Sequence, residues 1–196
     1  MIFTGERVIP GVMDDARDLQ CHLARYVWAM HPFCTHKHVL DLACGAGYGT
    51  QILSWAAKTA WGIDIEPAAV EYANEMYSTE NTSFYYGNAY NIPAISGMFD
   101  VVVSFETIEH LQEPEKFVSE VYRVLKPGGL FIVSAPAHSG SIYHARDYDD
   151  CADLEALLLA FPKREYYGQG FGLEHTIVKG VVPNTAHDTH IFVAEK

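Results

Sequence analysis

The sequence predicts a doubly wound α/β domain of seven strands, and three observations carry that reading. Short apolar runs recur along the chain, helical patterns fill the gaps between them, and the first run ends in an acid and a glycine turn. The runs lie near 37–42, 59–64, 82–86, 99–104, 129–135, 164–168 and 188–194. In VLDLACGAGYGT, residues 39–50, Val39, Leu40 and Leu42 suit a buried parallel strand. Gly45, Gly47 and Gly49 then let the backbone pass where a side chain would meet a ligand. WGIDIEP, residues 61–67, is the second strand and ends in Asp64, nineteen residues beyond Gly45, the separation at which an acid accepts from ribose hydroxyls. A helix over 16–31 carries Leu19, Leu23, Tyr26, Val27 and Met30 at helical spacing. Another over 114–125 is stopped by Lys126-Pro127-Gly128-Gly129, which turns the chain into the fifth strand.

Composition narrows the function classes. A chain of 196 residues buries roughly 70% of its unfolded surface, enough for one core across 1–196 without disulfides or structural metal. No repeat or low-complexity tract interrupts it. Thirteen Lys and Arg against 25 Asp and Glu give a formal charge of -12, which repels phosphate backbones, so nucleic acid is a disfavoured partner and small metabolites, lipids or sugars fit better. The longest apolar runs are too short for a membrane span, and Glu6 sits where a signal peptide would be basic, so a cytoplasmic setting is expected. Cys21, Cys34, Cys44 and Cys151 lack C-x-x-C spacing and are expected to be free thiols. HPFCTHKH, residues 31–38, has no zinc spacing and reads as a loop.

A glycine turn with a ribose acid fits two nucleotide cofactors. A nicotinamide fingerprint needs G-x-G-x-x-G, but Thr50 takes the third position and the glycine falls one residue early. With Asp41, Ala43, Cys44, Gly45 and Gly47, the chain instead resembles the class I S-adenosylmethionine-dependent methyltransferases of the type 11 branch. The resemblance continues in order through Asp64 and Ile65, YYGNAYNIP at 85–93, FDVVVSFETIEHL at 99–111 and RVLKPGGLFIVSAP at 123–136. Asn88 stands where the family carries an acid; asparagine still accepts from an adenine amino group, without the charge.

The resemblance implies a Rossmann-like, mostly parallel sheet with a final antiparallel strand, S-adenosylmethionine as cofactor, and a binding site at the topological switch point. It implies cofactor contacts from the backbone of Ala43, Cys44, Gly45 and Gly47, from Asp64 with Ile65, from Asn88 with Ala89, and from the Phe105 carbonyl. Asp41 would support the loop and face the methionyl ammonium. Arg25 and Tyr26 either close over the cofactor carboxylate or make a helix–sheet contact. FTGERVIPG at 3–11, HLARYVWA at 22–29 and the stretch Tyr143–Gln169 resemble a subgroup associated with glycan and cell-surface polymer synthesis. That implies O-methylation of a small-molecule or carbohydrate-like acceptor, under an N-terminal lid or helix segment (1–35) and a short cap (136–187). GQGFGLEH at 168–175 reads equally as a lid or a surface turn.

Glu106, Glu109 and His110 form E-x-x-E-H, spaced to face one way if the segment after the fourth strand is a helix. In some family members, including small-RNA 2'-O-methyltransferases, this pattern holds a divalent metal. Mg²⁺, Mn²⁺ or Zn²⁺ would suit the set, with His138 or His144 completing it; the alternative is direct substrate binding or helix capping. His110 and His144 are the candidate bases. No catalytic triad is required, because aligning donor and acceptor alone supplies effective molarities of about 10⁵ to 10⁸ M. Other readings are a non-catalytic S-adenosylmethionine-binding subunit, a metal-dependent RNA 2'-O-methyltransferase and, third, a nicotinamide oxidoreductase. Oligomeric state is not encoded in these patterns.

Overall fold

The computed structural model describes residues 16–137, 141–170, 176–181 and 188–196. The FTGERVIPG motif, His138, and residues 171–175 and 182–187 of the expected cap lie outside them. Strands β1 (His38–Leu42), β2 (Thr59–Asp64), β3 (Thr82–Tyr86), β4 (Phe99–Ser104), β5 (Leu125–Pro136), β6 (Lys163–Gln169), β7 (Ile177–Lys179) and β8 (Thr189–Glu195) form one sheet in the order β3-β2-β1-β4-β5-β8-β6-β7. The first five are parallel, and β8 runs antiparallel between β5 and β6.

Among the described residues the sheet has eight strands, not the expected seven. The extra one, β7, adds three residues to the edge against Tyr167–Gln169. Ile177-Val178-Lys179 is too short for any periodicity to register in sequence.

Helices α1 (Ala16–Cys34), α2 (Tyr48–Ser54), α3 (Pro67–Tyr77), α4 (Pro114–Val124) and α5 (Cys151–Leu157) cover both faces. The sheet residues alternate accordingly. Leu40, Leu42, Val102, Phe131 and Val133 pack on one side with Phe117, Val121 and Leu154, whereas Val39, Val101, Val103 and Ile132 pack on the other with Tyr26, Ala29 and Leu53. Burial on both faces is why these strands read as continuous apolar runs rather than alternating ones. Pro67 opens α3 at its first turn, where Glu66 accepts from the Ala68 N–H at 3.4 Å. Asp150 starts α5 in the same way, accepting from Ala152 N–H at 2.9 Å.

One local expectation is corrected and one refined. His31–Cys34 is not loop: α1 carries on past Pro32, whose lost N–H is offset by complete burial of Cys34 and by the packing of this end of the helix on the sheet, where Trp28 lies between Phe33, centroids 5.1 Å apart, and Tyr167 of β6, 5.0 Å. Lys126-Pro127-Gly128-Gly129 follows the end of α4 as expected and turns with Gly128 at φ 74°; it lies between two pairings of β5, Leu125 with Phe99 and Leu130 with Val101, so the strand starts one residue ahead of the turn. Cys34, Cys44 and Cys151 form no disulfide.

Candidate functional site

Strand order reverses at β1, which has β2 on one side and β4 on the other. The carboxyl ends of these three strands open into a cavity of about 590 Å³. Ala43, Cys44 and Gly45 form its wall after β1, Asp64, Ile65 and Glu66 after β2, and Phe105, Glu106 and Thr107 after β4. Asn88 and Ala89, following β3, lie on the same wall.

The three motif glycines serve three different ends. Gly45 adopts φ +54°, and a Cβ there would meet no heavy atom within 4 Å, so its bare face looks into open space at the cavity wall. Gly47, at φ +89°, is a packing glycine: a Cβ would stand 2.6 Å from the Ala73 Cβ and 2.8 Å from the Phe84 ring. Gly49 admits the Tyr26 ring, which an added Cβ would overlap. The expectation that all three spare a ligand is thus corrected for Gly47 and Gly49, neither of which lines the cavity. Ala43 takes a left-handed φ of 64° and donates its N–H to the Ile63 carbonyl at 2.8 Å, pinning the loop to β2.

Asp64, 5% exposed, is the pivot of this wall. Its Oδ2 accepts from the Gly45 N–H at 2.8 Å and its Oδ1 from the Glu66 N–H at 2.9 Å. A carboxylate has lone pairs beyond these two, so the same group that fixes the glycine loop can accept from a diol. Asn88 uses its Oδ1 to accept from the Tyr90 N–H at 2.8 Å, a local turn that aims the following backbone.

Asp41, by contrast, is turned away from the cavity. It accepts from the Thr50 hydroxyl at 2.7 Å and from the Tyr26 hydroxyl at 3.3 Å, tying β1 to α2 and α1. Burial pushes its carboxyl up to about 7 against the lowering effect of these hydrogen bonds, with the Asp64 charge a lesser contribution. The structure therefore does not place Asp41 against a methionyl ammonium. Tyr26 is on the wall and stacks edge-on against Phe105, centroids 5.0 Å apart. Arg25 is not on the wall: its guanidinium donates to Gln169 Oε1 at 2.7 Å and lies 3.9 Å from Glu106 Oε1, so it is a helix–sheet contact rather than a clamp on the cofactor.

The E-x-x-E-H segment is not an α-helix. Ile108–His110 is a single 3-10 turn, and Glu106 precedes it at φ +49°, which separates the three side chains. Glu106 is drawn toward β5, where its Oε1 accepts from the Ser134 hydroxyl at 2.7 Å. Glu109 is buried, and its carboxyl is pushed up by burial first and by the Glu106 charge second. The metal set Glu106, Glu109 and His110 is therefore replaced by Glu109, His110 and His144, whose ligand atoms lie within 4.8 Å of one another. One carboxylate and two imidazoles fit a divalent ion in donor chemistry. His110 Nδ1 faces the Tyr143 carbonyl at 3.2 Å as its donor, and Nε2 lies 3.7 Å from Glu109 Oε1 and is the nitrogen that carries the lone pair in the neutral ring. His144, held by Asp147 at 3.2 Å, meets His110 edge-on. His110 is on the cavity wall and His144 is not.

Sequence reasoning missed His22, Tyr48, Tyr90 and Tyr143, all on the wall. His22 stands one helical turn before Tyr26 and lies 3.2 Å from the Tyr48 hydroxyl. Its imidazole is held well below the usual range by burial and then by Arg25, so it is neutral. The i, i+4 pair His22–Tyr26 was the available signal; Tyr143 offered none.

Residues 40–133 match the family model described as "Methyltransferase domain". A "probable S-adenosylmethionine-dependent methyltransferase" of Mycolicibacterium smegmatis is 38% identical over 133 residues, 68% of this chain and 51% of that protein. Norajmaline N-methyltransferase of Rauvolfia serpentina is 36% identical over 108 residues, 52% of this chain and 37% of its own length. The chain thus spans about half the length, or less, of these curated relatives. Among solved structures, a SAM-dependent methyltransferase from Aquifex aeolicus superposes with a TM-score of 0.67 at 18% identity, covering 92% of this chain and 93% of that one. Sheet order, glycine loop and these matches agree: the chain carries a domain of the class I S-adenosylmethionine-dependent methyltransferase family.

Proposed function

We propose that this chain binds S-adenosylmethionine in the β1–β2–β4 cavity and methylates a small-molecule acceptor. The observation that carries the reading is Asp64, held by the Gly45 and Glu66 N–H groups at the end of β2 beside the open face of Gly45. Asp64 with Ile65 would hold the ribose, Asn88 and Ala89 the adenine, and the loop 43–45 the methionyl part. When bound, S-adenosylmethionine supplies a sulfonium methyl that passes to an acceptor lone pair as the C–S bond breaks to a neutral thioether. The protein's task is alignment and exclusion of water. Tyr26, Phe105 and His110 wall the region beyond the glycine loop, and His110, with Nε2 as its lone-pair nitrogen, is the candidate base where the acceptor must lose a proton.

Oxygen on a carbohydrate-like acceptor follows from the subgroup resemblance; nitrogen is the atom named for the Rauvolfia relative. A divalent ion at Glu109, His110 and His144 would be a Lewis acid orienting acceptor oxygens. A cytoplasmic setting is expected, and no described helix is long and apolar enough to cross a membrane.

The test is transfer of a labelled methyl from S-adenosylmethionine into fractionated cell extract, with small molecules, glycans, lipids and RNA separated, with and without EDTA. Label in one fraction names the acceptor class, and loss of label with EDTA supports the ion. Binding of the cofactor with no label in any fraction would favour a non-catalytic subunit, and no binding would end the proposal.

A further inference from the structure

The acceptor side of the cavity differs in charge from what an anionic metabolite would need. Asp64, Glu66 and Glu106 are on the wall, and no Lys or Arg is among the described wall residues. Among the described residues, Arg25 and Lys116 approach from outside and both are engaged. Arg25 is committed to Gln169 and Thr189, and it approaches Glu106 at Oε1, 3.9 Å away. Lys116, 5.5 Å from the Tyr90 ring centroid, is paired with Glu113 at 3.7 Å. With a formal charge of -12, long-range attraction reinforces the local sign.

Of the three wall carboxylates, Asp64 and Glu66 belong to the β2 end assigned to the ribose. Glu106 stands at the end of β4, next to Phe105. Its position is fixed twice by Ser134, whose hydroxyl donates to Oε1 at 2.7 Å and whose oxygen accepts the Glu106 N–H at 3.1 Å. Among the described residues Oε2 receives no hydrogen bond. The same wall carries the rings of Tyr90, Phe105 and Tyr143 with Leu111, alongside Thr107 and His110. A carboxylate and aromatic rings on one cavity wall are the groups that recognise a cation, through a charge-assisted hydrogen bond from the one and π faces from the others.

We infer that the acceptor is an amine, taken up with its nitrogen toward Glu106 and its apolar body against Tyr90, Phe105 and Tyr143, and that phosphorylated or carboxylated acceptors are excluded. The inference rests on the methyltransferase reading of the same cavity. The ammonium form is recognised and the neutral amine reacts: the bound ammonium first gives one proton to Glu106 or to water, the freed lone pair then forms the new C–N bond as the methyl's C–S bond breaks to the neutral thioether, and the methylated product leaves as an ammonium. Glu106 is thus an acceptor-positioning residue.

The test needs no knowledge of the natural acceptor. The full chain, saturated with S-adenosylhomocysteine, is titrated with phenethylamine, phenethyl alcohol and phenylacetate near pH 7.5, and binding is followed by ligand-observed NMR. These probes share a ring and differ in charge. Phenethylamine should bind at least about tenfold more tightly than phenylacetate. Glu106→Gln should remove most of that preference, a change of about tenfold, while its own S-adenosylhomocysteine affinity and melting temperature show that the site is still formed. Equal or tighter binding of phenylacetate, failure of phenethylamine to bind, or an unchanged preference in Glu106→Gln would overturn the inference. Failure of S-adenosylhomocysteine to bind would instead remove the methyltransferase reading.

Discussion

Replacing Gly45 and Gly47 separately by alanine should split stability from affinity. Both positions are left-handed, at φ +54° and +89°, where an L-residue costs roughly 1–2 kcal/mol. At Gly45 the new methyl meets no protein atom within 4 Å, so that backbone term is the whole cost. At Gly47 the methyl would lie 2.6 Å from the Ala73 Cβ and 2.8 Å from Phe84 Cε1, well inside contact distance in a buried cluster. Overpacking adds roughly 1–3 kcal/mol, for a total of about 2–5 kcal/mol. The ranking for ligand binding is reversed. The Gly45 methyl projects beside Asp64 into the space assigned to the cofactor and should weaken S-adenosylhomocysteine by about tenfold or more; the Gly47 methyl points away from the cavity. Urea denaturation with calorimetric titration at a temperature where both variants are folded reads the two effects independently. Wild-type affinity in Gly45→Ala, or equal stability loss in the two variants, would show that the division of labour among the glycines is misassigned.

Asp64→Ala removes an acceptor shared by two backbone N–H groups and the proposed ribose; charge-assisted hydrogen bonds of roughly 1.5–3 kcal/mol put the loss of S-adenosylmethionine affinity at about ten- to hundredfold, and unchanged affinity in a folded variant would move the ribose elsewhere. Asp41 gives a pH signature. Its carboxyl is raised from 3.8 to about 7 by burial, so the folded state holds a proton that the unfolded state has lost. The stability associated with the neutral form is complete below pH 3.8 and fades as pH rises through about 7, on the order of 4 kcal/mol in all. Asp41→Asn should flatten that slope and be the more stable protein at pH 8; thermal melts from pH 4 to 8 with parallel slopes for the two proteins would refute it. Glu109→Gln should act in the same direction, because burial raises that carboxyl as well, and a variant less stable than wild type at pH 8 would count against a buried neutral Glu109.

The cofactor half of the site was legible because each of its pieces is continuous in sequence. A parallel strand ends, the chain turns, and the next few backbone groups are the wall: 43–45 after β1, 64–66 after β2, 87–90 after β3. Consecutive residues are what a motif records. The same local logic misled at Gly47 and Gly49, whose spacing resembles that of Gly45 although their reason for being glycine is Phe84 in one case and Tyr26 in the other. Both partners are distant in sequence, and no spacing rule carries them.

The acceptor half is built on the opposite principle, which explains why E-x-x-E-H was misread. Its spacing points three side chains one way only if β4 leads into an α-helix. Instead β4 leads into a residue at φ +49° and one 3-10 turn, and the cause lies outside the segment. Ser134 on β5 holds Glu106 by both backbone and side chain, and the Ala145 and Arg146 N–H groups hold the Glu109 carbonyl at 2.8 and 3.1 Å. Those tethers join residues roughly 30 apart and convert a helical spacing into a divergent pair, with one carboxylate on the cavity wall and one buried behind it. Arg25 illustrates the same point over a longer span, since its bond to Gln169 crosses 144 residues. Where a wall is built of backbone at the end of a strand, neighbours in sequence define it; where it is built of side chains meeting across elements, only the fold decides which carboxylate reaches the cavity, and here that residue is Glu106.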